Sequence, residues 1–407
     1  MRPGPTRARP LAALTSMATA MVTAAALLAA CTGDPEPRAG SAAPTAGAGA
    51  PGATATPSPT PPVEGAPADL TALVERLYAG KDLGRAANAE TTRALATGST
   101  RSGGGSAGGG VPADARAAVG SWFGTPIAVV TAGEDVTLAV GKRWQVVGGW
   151  WPSLGVDAPV VGGGPRWVLA VGSDARRGQD LARSRADTLQ VVGLDGKGGG
   201  GVMGIARDLW VTLSTGGKGK INSAMALGGP QAQLRTVRAA TGLPIEGYAV
   251  IGFEGFTTLI DDQGGIPIVV PETVDASHAR IVIEKGPQVL SGKEALAYAR
   301  ERKTLPDGDF GRSRHQGQLL LAAAVKAKLA GPIAVPGALT SFSEVGRSDL
   351  TAEEMLTFAA GLYRVNPTQV GRGVAAGPFG WAGSQSIVVL GDQARRLFAS
   401  FEDGNLS

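Results

Sequence analysis

The chain has 407 residues, enough for two domains plus tails, with 43% apolar residues to build a core and only 5% aromatic ones. A single cysteine excludes a disulfide framework or a thiolate metal cluster, and two histidines argue against a multi-histidine metal site. The formal charge of +4 shrinks to near balance once Arg2, Arg7 and Arg9 are set aside as part of a removable leader, so bulk electrostatics points to no nucleic-acid partner.

Those three arginines precede an uncharged apolar run from Leu11 to Ala30, the layout of an export signal over residues 1–30. The run ends in Leu28-Ala-Ala-Cys31, which resembles a bacterial lipobox with Cys31 as the lipidated residue. An uncleaved transmembrane helix of about 20 residues is the alternative. On either reading the rest of the chain is extracytoplasmic and held at the membrane. After Cys31, the segment to residue 67 is rich in Pro, Ala, Thr, Gly and Ser, with Val63 as its one large aliphatic, and reads as a disordered tether.

Residues 68–160 form a small accessory region of unassigned role. Asp69 is placed as an N-cap ahead of Leu70, Leu73, Val74 and Leu77 at helical spacing. A Gly/Ser run from Thr97 to Gly110 follows, and then short strand candidates at Ile127–Val130, Val136–Val140 and Trp144–Val147. Trp150 and Trp151 are expected to pack against the next domain, with a binding face as the alternative.

That domain, residues 161–400, alternates strands with helices, the signature of a layered α/β fold. Strands are expected at Val168–Val171, Thr188–Val192, Gly201–Ile205 and Ile266–Val270. Helical turns are expected within Leu234–Ala240 and Tyr248–Leu259, and a long helix over Gly317–Leu329. Gly196–Gly201 reads as a flexible loop, and the chain holds no Gly-x4-Gly-Lys-Ser/Thr nucleotide loop.

Charged residues fall at the ends of these elements, where open α/β sheets place their sites. Asp174 follows the first strand. Arg185 and Asp187, two apart, lead into the second, and Arg207-Asp208 ends the third. Ser291-Gly-Lys-Glu294 is a capping box for a helix that ends with Arg300 and Arg302. Asp309, Arg312 and Gln316 follow, the last two sharing a helix face that turns apolar at Leu319 and Leu320. Any one of these arginines, taken singly, reads as a solvated surface charge or a weak surface pair. Several converging on one place call for a polyanion, because guanidinium groups match phosphate oxygens bidentately. Two carboxylates without histidine or cysteine suit a hard cation such as Mg²⁺ beside phosphate.

The ordered motifs Gly172-Ser-Asp-Ala-Arg176, Arg185-Ala-Asp-Thr188, Ala206-Arg-Asp208, Lys220-Ile-Asn222, Gly264-Gly265, Ala295–Arg302 and Asp309–Gln316 resemble the LytR–CpsA–Psr family of cell-envelope proteins. The resemblance implies a three-layer α/β/α sandwich with a central mixed sheet and an apolar tunnel for a polyprenyl chain. It implies a phosphotransferase that moves a glycopolymer from a polyprenyl-pyrophosphate carrier onto peptidoglycan, with Mg²⁺ or Mn²⁺ held by Asp174 and Asp187. Arg185, Arg300, Arg302 and Gln316 would bind the pyrophosphate, with Arg207, Lys220 and Arg312 as further polar lining. Asp309 is either a base for the acceptor hydroxyl or an ion-pair partner of Arg312. The chain departs from the family at Gly204-Ile-Ala-Arg-Asp208, where members have Ser-Ile-Pro-Arg-Asp, and at Arg314-His-Gln316, where His315 reads as a substituted surface residue. A non-catalytic polyprenyl-phosphate binder and a polyprenyl-pyrophosphate hydrolase are the rival functions.

Overall fold

A computed structural model describes residues 63–101, 110–176 and 178–406. Cys31, the export signal and most of the tether lie outside the described residues. Val63, expected in the tether, is fully buried, and Glu64 bridges Arg116, so this end of it belongs to the packed body.

The N-terminal region opens with helices α1 (Ala68–Tyr78) and α2 (Ala89–Arg101). An antiparallel meander follows: β1 (Arg116–Trp122), β2 (Thr125–Ala132), β3 (Asp135–Val140), β4 (Gln145–Trp151) and β5 (Val156–Val160). Pro67, not Asp69, occupies the N-cap of α1; Asp69 sits in the first turn, where its carboxylate meets the helix dipole and accepts Trp144 Nε1 at 3.1 Å. The two tryptophans part company. Trp150 faces the following domain and stacks on Tyr363 at 6.0 Å, whereas Trp151 is buried within the N-terminal region and donates to Thr137 Oγ1 at 2.8 Å.

The second region begins with β6 (Arg166–Ser173), β7 (Ala186–Leu194), β8 (Gly200–Ile205), β9 (Leu209–Thr212) and β10 (Lys218–Lys220). Next come α3 (Ser223–Thr241), β11 (Gly247–Ile251), α4 (Phe253–Asp262), β12 (Ile266–Val270), β13 (Val274–Ala276), β14 (Ile281–Ile283) and β15 (Gly286–Leu290). Helices α5 (Gly292–Arg300), α6 (Asp309–Ala330) and α7 (Val335–Val345) precede β16 (Gly346–Ser348) and α8 (Ala352–Arg364). The chain closes with β17 (Val370–Ala375), β18 (Phe379–Ala382), β19 (Gln385–Val389) and α9 (Asp392–Ser400).

The central sheet runs β16-β11-β6-β7-β8-β17 and is mixed: β11 with β6 and β17 with β8 are parallel, the other pairs antiparallel. Trp167, Leu169 and Val171 of β6 pack on one face with Leu234 and Val237 of α3 and Phe398 of α9. Val168 and Leu194 join Leu356 of α8 and the N-terminal Trp122, Ile127 and Val129 on the other. Cover on both faces explains why β6 is apolar throughout rather than alternating.

Two expectations are refined. The helical turns expected within Tyr248–Leu259 begin at Phe253, and Tyr248–Ile251 before them belongs to the strand β11, paired in register with Leu169–Gly172. The loop expected at Gly196–Gly201 ends at Gly199, and Gly200 begins β8, which contains the strand expected at Gly201–Ile205; a Cβ at Gly201 would stand 2.6 Å from the Phe401 ring, so close packing of that ring requires glycine there.

Candidate functional site

Strands β6, β8 and β11 run the same way, and their carboxyl ends gather the charged residues at one edge of the sheet. A β-bulge helps. Gly172 pairs with Thr188 and Ser173 with Ala186, which leaves Asp187 as the extra residue, and such bulges re-aim a side chain. Asp187 Oδ1 accepts Arg207 Nη1 at 2.8 Å, and Arg207 Nε reaches Asp309 Oδ2 at 3.0 Å. Arg302 Nη1 lies 3.4 Å from Asp309 Oδ1 and Arg312 Nη2 3.7 Å from Oδ2. Asp309 is thus the hub of three guanidinium groups.

The electrostatics follow from that geometry. Burial pushes the Asp309 carboxyl up, but Arg312, Arg207 and Arg302 outweigh it and hold the pKa below the usual carboxylate range. Burial also opposes the charge of Arg207, and Asp187 and Asp309 overcome it, raising its pKa. Arg312 is pulled down by burial and then by Arg207, and its buried Nε has no hydrogen-bond partner among the described residues. A carboxylate so held is a weak base, and the ion-pair alternative for Asp309 is the one the contacts favour.

The network borders a cavity of about 220 Å³ into which Arg207, Arg300, Arg302, Lys303, Arg312 and Gln316 all look, together with Asp187 and Thr188. Gln316 donates to the Ala299 carbonyl at 3.0 Å, tying the end of α5 to α6. The remaining candidates, Asp174, Arg185 and Lys220, do not line this cavity. Asp174 accepts the Arg185 amide at 2.8 Å, Arg185 is exposed, and Lys220 pairs with Asp208 at 3.0 Å.

Three supporting residues escaped sequence reasoning. The exposed Arg300 guanidinium lies 4.4 Å above the Phe253 ring. Glu301 is 1% exposed and accepts the amides of Arg302, Lys303 and Thr304 as well as His278 Nδ1 at 3.0 Å, which fixes the loop that carries Arg302. Its position between two arginines in the Ala295–Arg302 motif was the available signal. His315, expected at the surface, is 6% exposed and stacks on Tyr298 at 3.9 Å.

As to a metal, Asp174 and Asp187 each keep one carboxylate oxygen without a hydrogen-bond partner among the described residues. No group of three or more His, Cys, Asp or Glu suited to a metal occurs among them. A cation here would draw the rest of its shell from phosphate and water, as Mg²⁺ commonly does.

The sheet and its edge define an α/β/α domain with a cavity lined by cationic side chains. The chain belongs to the LytR_cpsA_psr family, which it matches over residues 158–390. It is 38% identical over 167 residues to Regulatory protein MsrR of Staphylococcus aureus, covering 40% of this chain and 50% of that one. It is 41% identical over 170 residues to the polyisoprenyl-teichoic acid–peptidoglycan teichoic acid transferase TagV of Bacillus subtilis, covering 39% and 42%. The chain therefore spans half the length, or less, of these curated relatives. The crystal structure of B. subtilis TagV superposes with a TM-score of 0.50 at 29% identity, over 59% of this chain and 97% of that one.

Proposed function

We propose that this protein transfers a glycopolymer from a polyprenyl-pyrophosphate carrier onto peptidoglycan. The observation that carries the reading is the convergence of five cationic side chains on one cavity, with Arg207 and Arg312 oriented by Asp309. TagV, similar in sequence and structure, is named for such a transfer. An acceptor hydroxyl would attack the glycan-side phosphorus; a new P–O bond forms, the bridging P–O bond breaks, and polyprenyl phosphate and one proton leave. Arg207, Arg300, Arg302 and Arg312 would hold the diphosphate and stabilise the charge that collects on the leaving oxygen. Asp174 and Asp187 would hold Mg²⁺ or Mn²⁺, which would neutralise phosphate oxygens when bound.

An apolar cavity of about 90 Å³ supports the lipid half of the substrate. It lies between β7, β8 and β17 on one side and α6 and α8 on the other, lined by Val192, Val202, Leu320, Leu321, Leu362 and Val370. Leu320 follows Gln316 by one turn of α6, about 6 Å along the axis, so one helix leads from phosphate-binding wall to hydrocarbon-binding wall. Export and lipidation at Cys31 would place this site beside the membrane that holds the carrier; Cys31→Ala should release the protein from the membrane fraction.

The test is transfer by the full chain in detergent, given a polyprenyl-pyrophosphoryl oligosaccharide, Mg²⁺ and a peptidoglycan fragment. The joined product should form, should disappear with EDTA, and should fall at least tenfold with Arg300→Ala. Free phosphorylated oligosaccharide released at the same rate without peptidoglycan would make the protein a hydrolase. Carrier binding without turnover would make it a scaffold.

A further inference from the structure

The accessory region reaches the second domain at a particular point. The β1–β2 hairpin closes with Trp122 opposite Thr125, leaving the two-residue loop Phe123-Gly124 with φ of 46° and 85°. This is a type I′ geometry, which strongly prefers Asn or Gly at its first position. A phenylalanine there is a true outlier, and such strain persists where the surroundings or a function demand it. The ring's one aromatic contact among the described residues is edge-to-face with Trp122, at 4.7 Å between centroids, and leaves much of it in solvent. Trp122 does the anchoring: Nε1 donates to the Leu350 carbonyl at 2.8 Å and the ring stacks on Phe342 at 5.6 Å. Ser121 N donates to Thr340 Oγ1 at 2.8 Å, which locks the hairpin to α7. Phe123 itself remains 44% exposed.

The ring borders an open cleft of about 760 Å³, walled also by Gln179, Asp180, Tyr248, Arg347 and Glu344. Asp180 spends one carboxylate oxygen on the Ala182 amide, and Gln179 spends Oε1 on the Arg176 amide, which leaves its Nε2 to donate. Arg347, Glu344 and the Tyr248 hydroxyl make no side-chain hydrogen bond or ion pair among the described residues. The cleft and the cation-lined cavity share no lining residue, but two elements connect them. Gln179 and Asp180 sit in the loop between Asp174 and Arg185, and β11 carries Tyr248 at one end and leads at the other into Phe253, which lines that cavity. Five residues of extended chain span roughly 17 Å.

We propose that this cleft is the acceptor subsite, seating a sugar ring of the peptidoglycan strand on Phe123 with its hydroxyls toward Asp180, Gln179 and Tyr248. The assignment rests on the transfer reading above. With it, the accessory region serves to hold one aromatic platform at a fixed distance from the reacting phosphorus. An exposed ring flanked by unspent donors and acceptors suits a sugar, which offers an apolar face and a polar edge. Arg347 then lies free for a carboxylate of the stem peptide.

The experiment is equilibrium binding of a soluble peptidoglycan oligomer to the full chain in detergent, without donor. Phe123→Ala should weaken binding about tenfold. Phe123→Asn tests the same contact without risk to the fold, because Asn suits the turn; it should bind as weakly as Phe123→Ala while melting no lower than wild type. In the transfer assay both variants should raise the acceptor KM by a similar factor. Equal binding by wild type and both variants overturns the acceptor subsite even if transfer occurs. Binding that depends on Phe123 in a protein that transfers nothing overturns the transferase reading alone and leaves the sugar site standing.

Discussion

Replacing Asp309 by Asn removes one negative charge from among three guanidinium groups while keeping its shape. Arg207 and Arg312, with side chains 16% and 8% exposed, lie 3.0 and 3.7 Å from Oδ2. Arg302, at 3.4 Å, is 47% exposed and counts for little. A close pair in such surroundings is worth about 4 kcal/mol before desolvation. Breaking a buried pair costs about 3–5 kcal/mol, and Arg207 keeps Asp187, so about 3 kcal/mol is the expected loss. In a body this large that is a fall in Tm on the order of 5 °C. Because the folded pKa of Asp309 is depressed, its contribution is fully present above the unfolded carboxylate value of about 4 and is lost as pH falls below it. The gap between wild type and variant should therefore be flat from neutral pH down to about pH 5 and narrow in stronger acid. Inorganic pyrophosphate at about a hundred times its Kd adds about 2.7 kcal/mol to the wild type. It should add more to Asp309→Asn, where it also relieves the repulsion left between arginines. Scanning calorimetry of both proteins with and without pyrophosphate decides it. A variant as stable as wild type, or one that gains less from the anion, refutes the hub.

Burial lowers the His315 pKa, so the folded state keeps it neutral; stability should fall as pH drops below about 6.5, and His315→Gln should flatten that slope between pH 7 and 5 in thermal melts. Phe253→Ala removes the ring under Arg300 and should raise the donor KM by about two- to fivefold, with Phe253→Leu no better, since the lost attraction is to the ring face. Gly204→Ala would set a Cβ 2.1 Å from Ser313 Oγ and push α6 off the sheet, at a cost of about 1–3 kcal/mol; adding Ser313→Ala should recover part of the loss in denaturant titration.

The parts of the fold that could be read from the chain were those whose pattern is local. Ser291 and Glu294 cap α5 reciprocally as their spacing requires, and the valine-rich runs of β6 and β7 are buried strands. The strand ahead of the helical turns in Tyr248–Leu259 went unread for a long-range reason: a short aromatic and β-branched run is ambiguous until β6 pairs with it. His315 failed likewise, because its partner Tyr298 lies on another helix. Spacing offered no sign of the apolar cavity either, since α8 and β17 complete it from more than a hundred residues beyond β8. The cation cluster was visible as a set of residue types, but which carboxylate restrains which arginine is a matter of geometry alone.

That restraint bears on the chemistry proposed. Arg207, Arg300, Arg302, Lys303 and Arg312 face the carboxylates Asp187, Glu301 and Asp309, five cations against three anions. A pyrophosphate diester brings two negative charges against that surplus of two, to which a divalent cation held by Asp174 and Asp187 would add one more positive charge net of Asp174. Transfer converts it into a phosphodiester with one charge and a polyprenyl phosphate with two, so negative charge grows as the bridging bond breaks. Groups already fixed by Asp187, Glu301 and Asp309 need not reorganise to meet it, and their interaction strengthens along the reaction rather than at binding. The carboxylates thus weaken the grip on the donor and preserve the stabilisation of the leaving group, the division a transferase requires if it is to release the spent carrier.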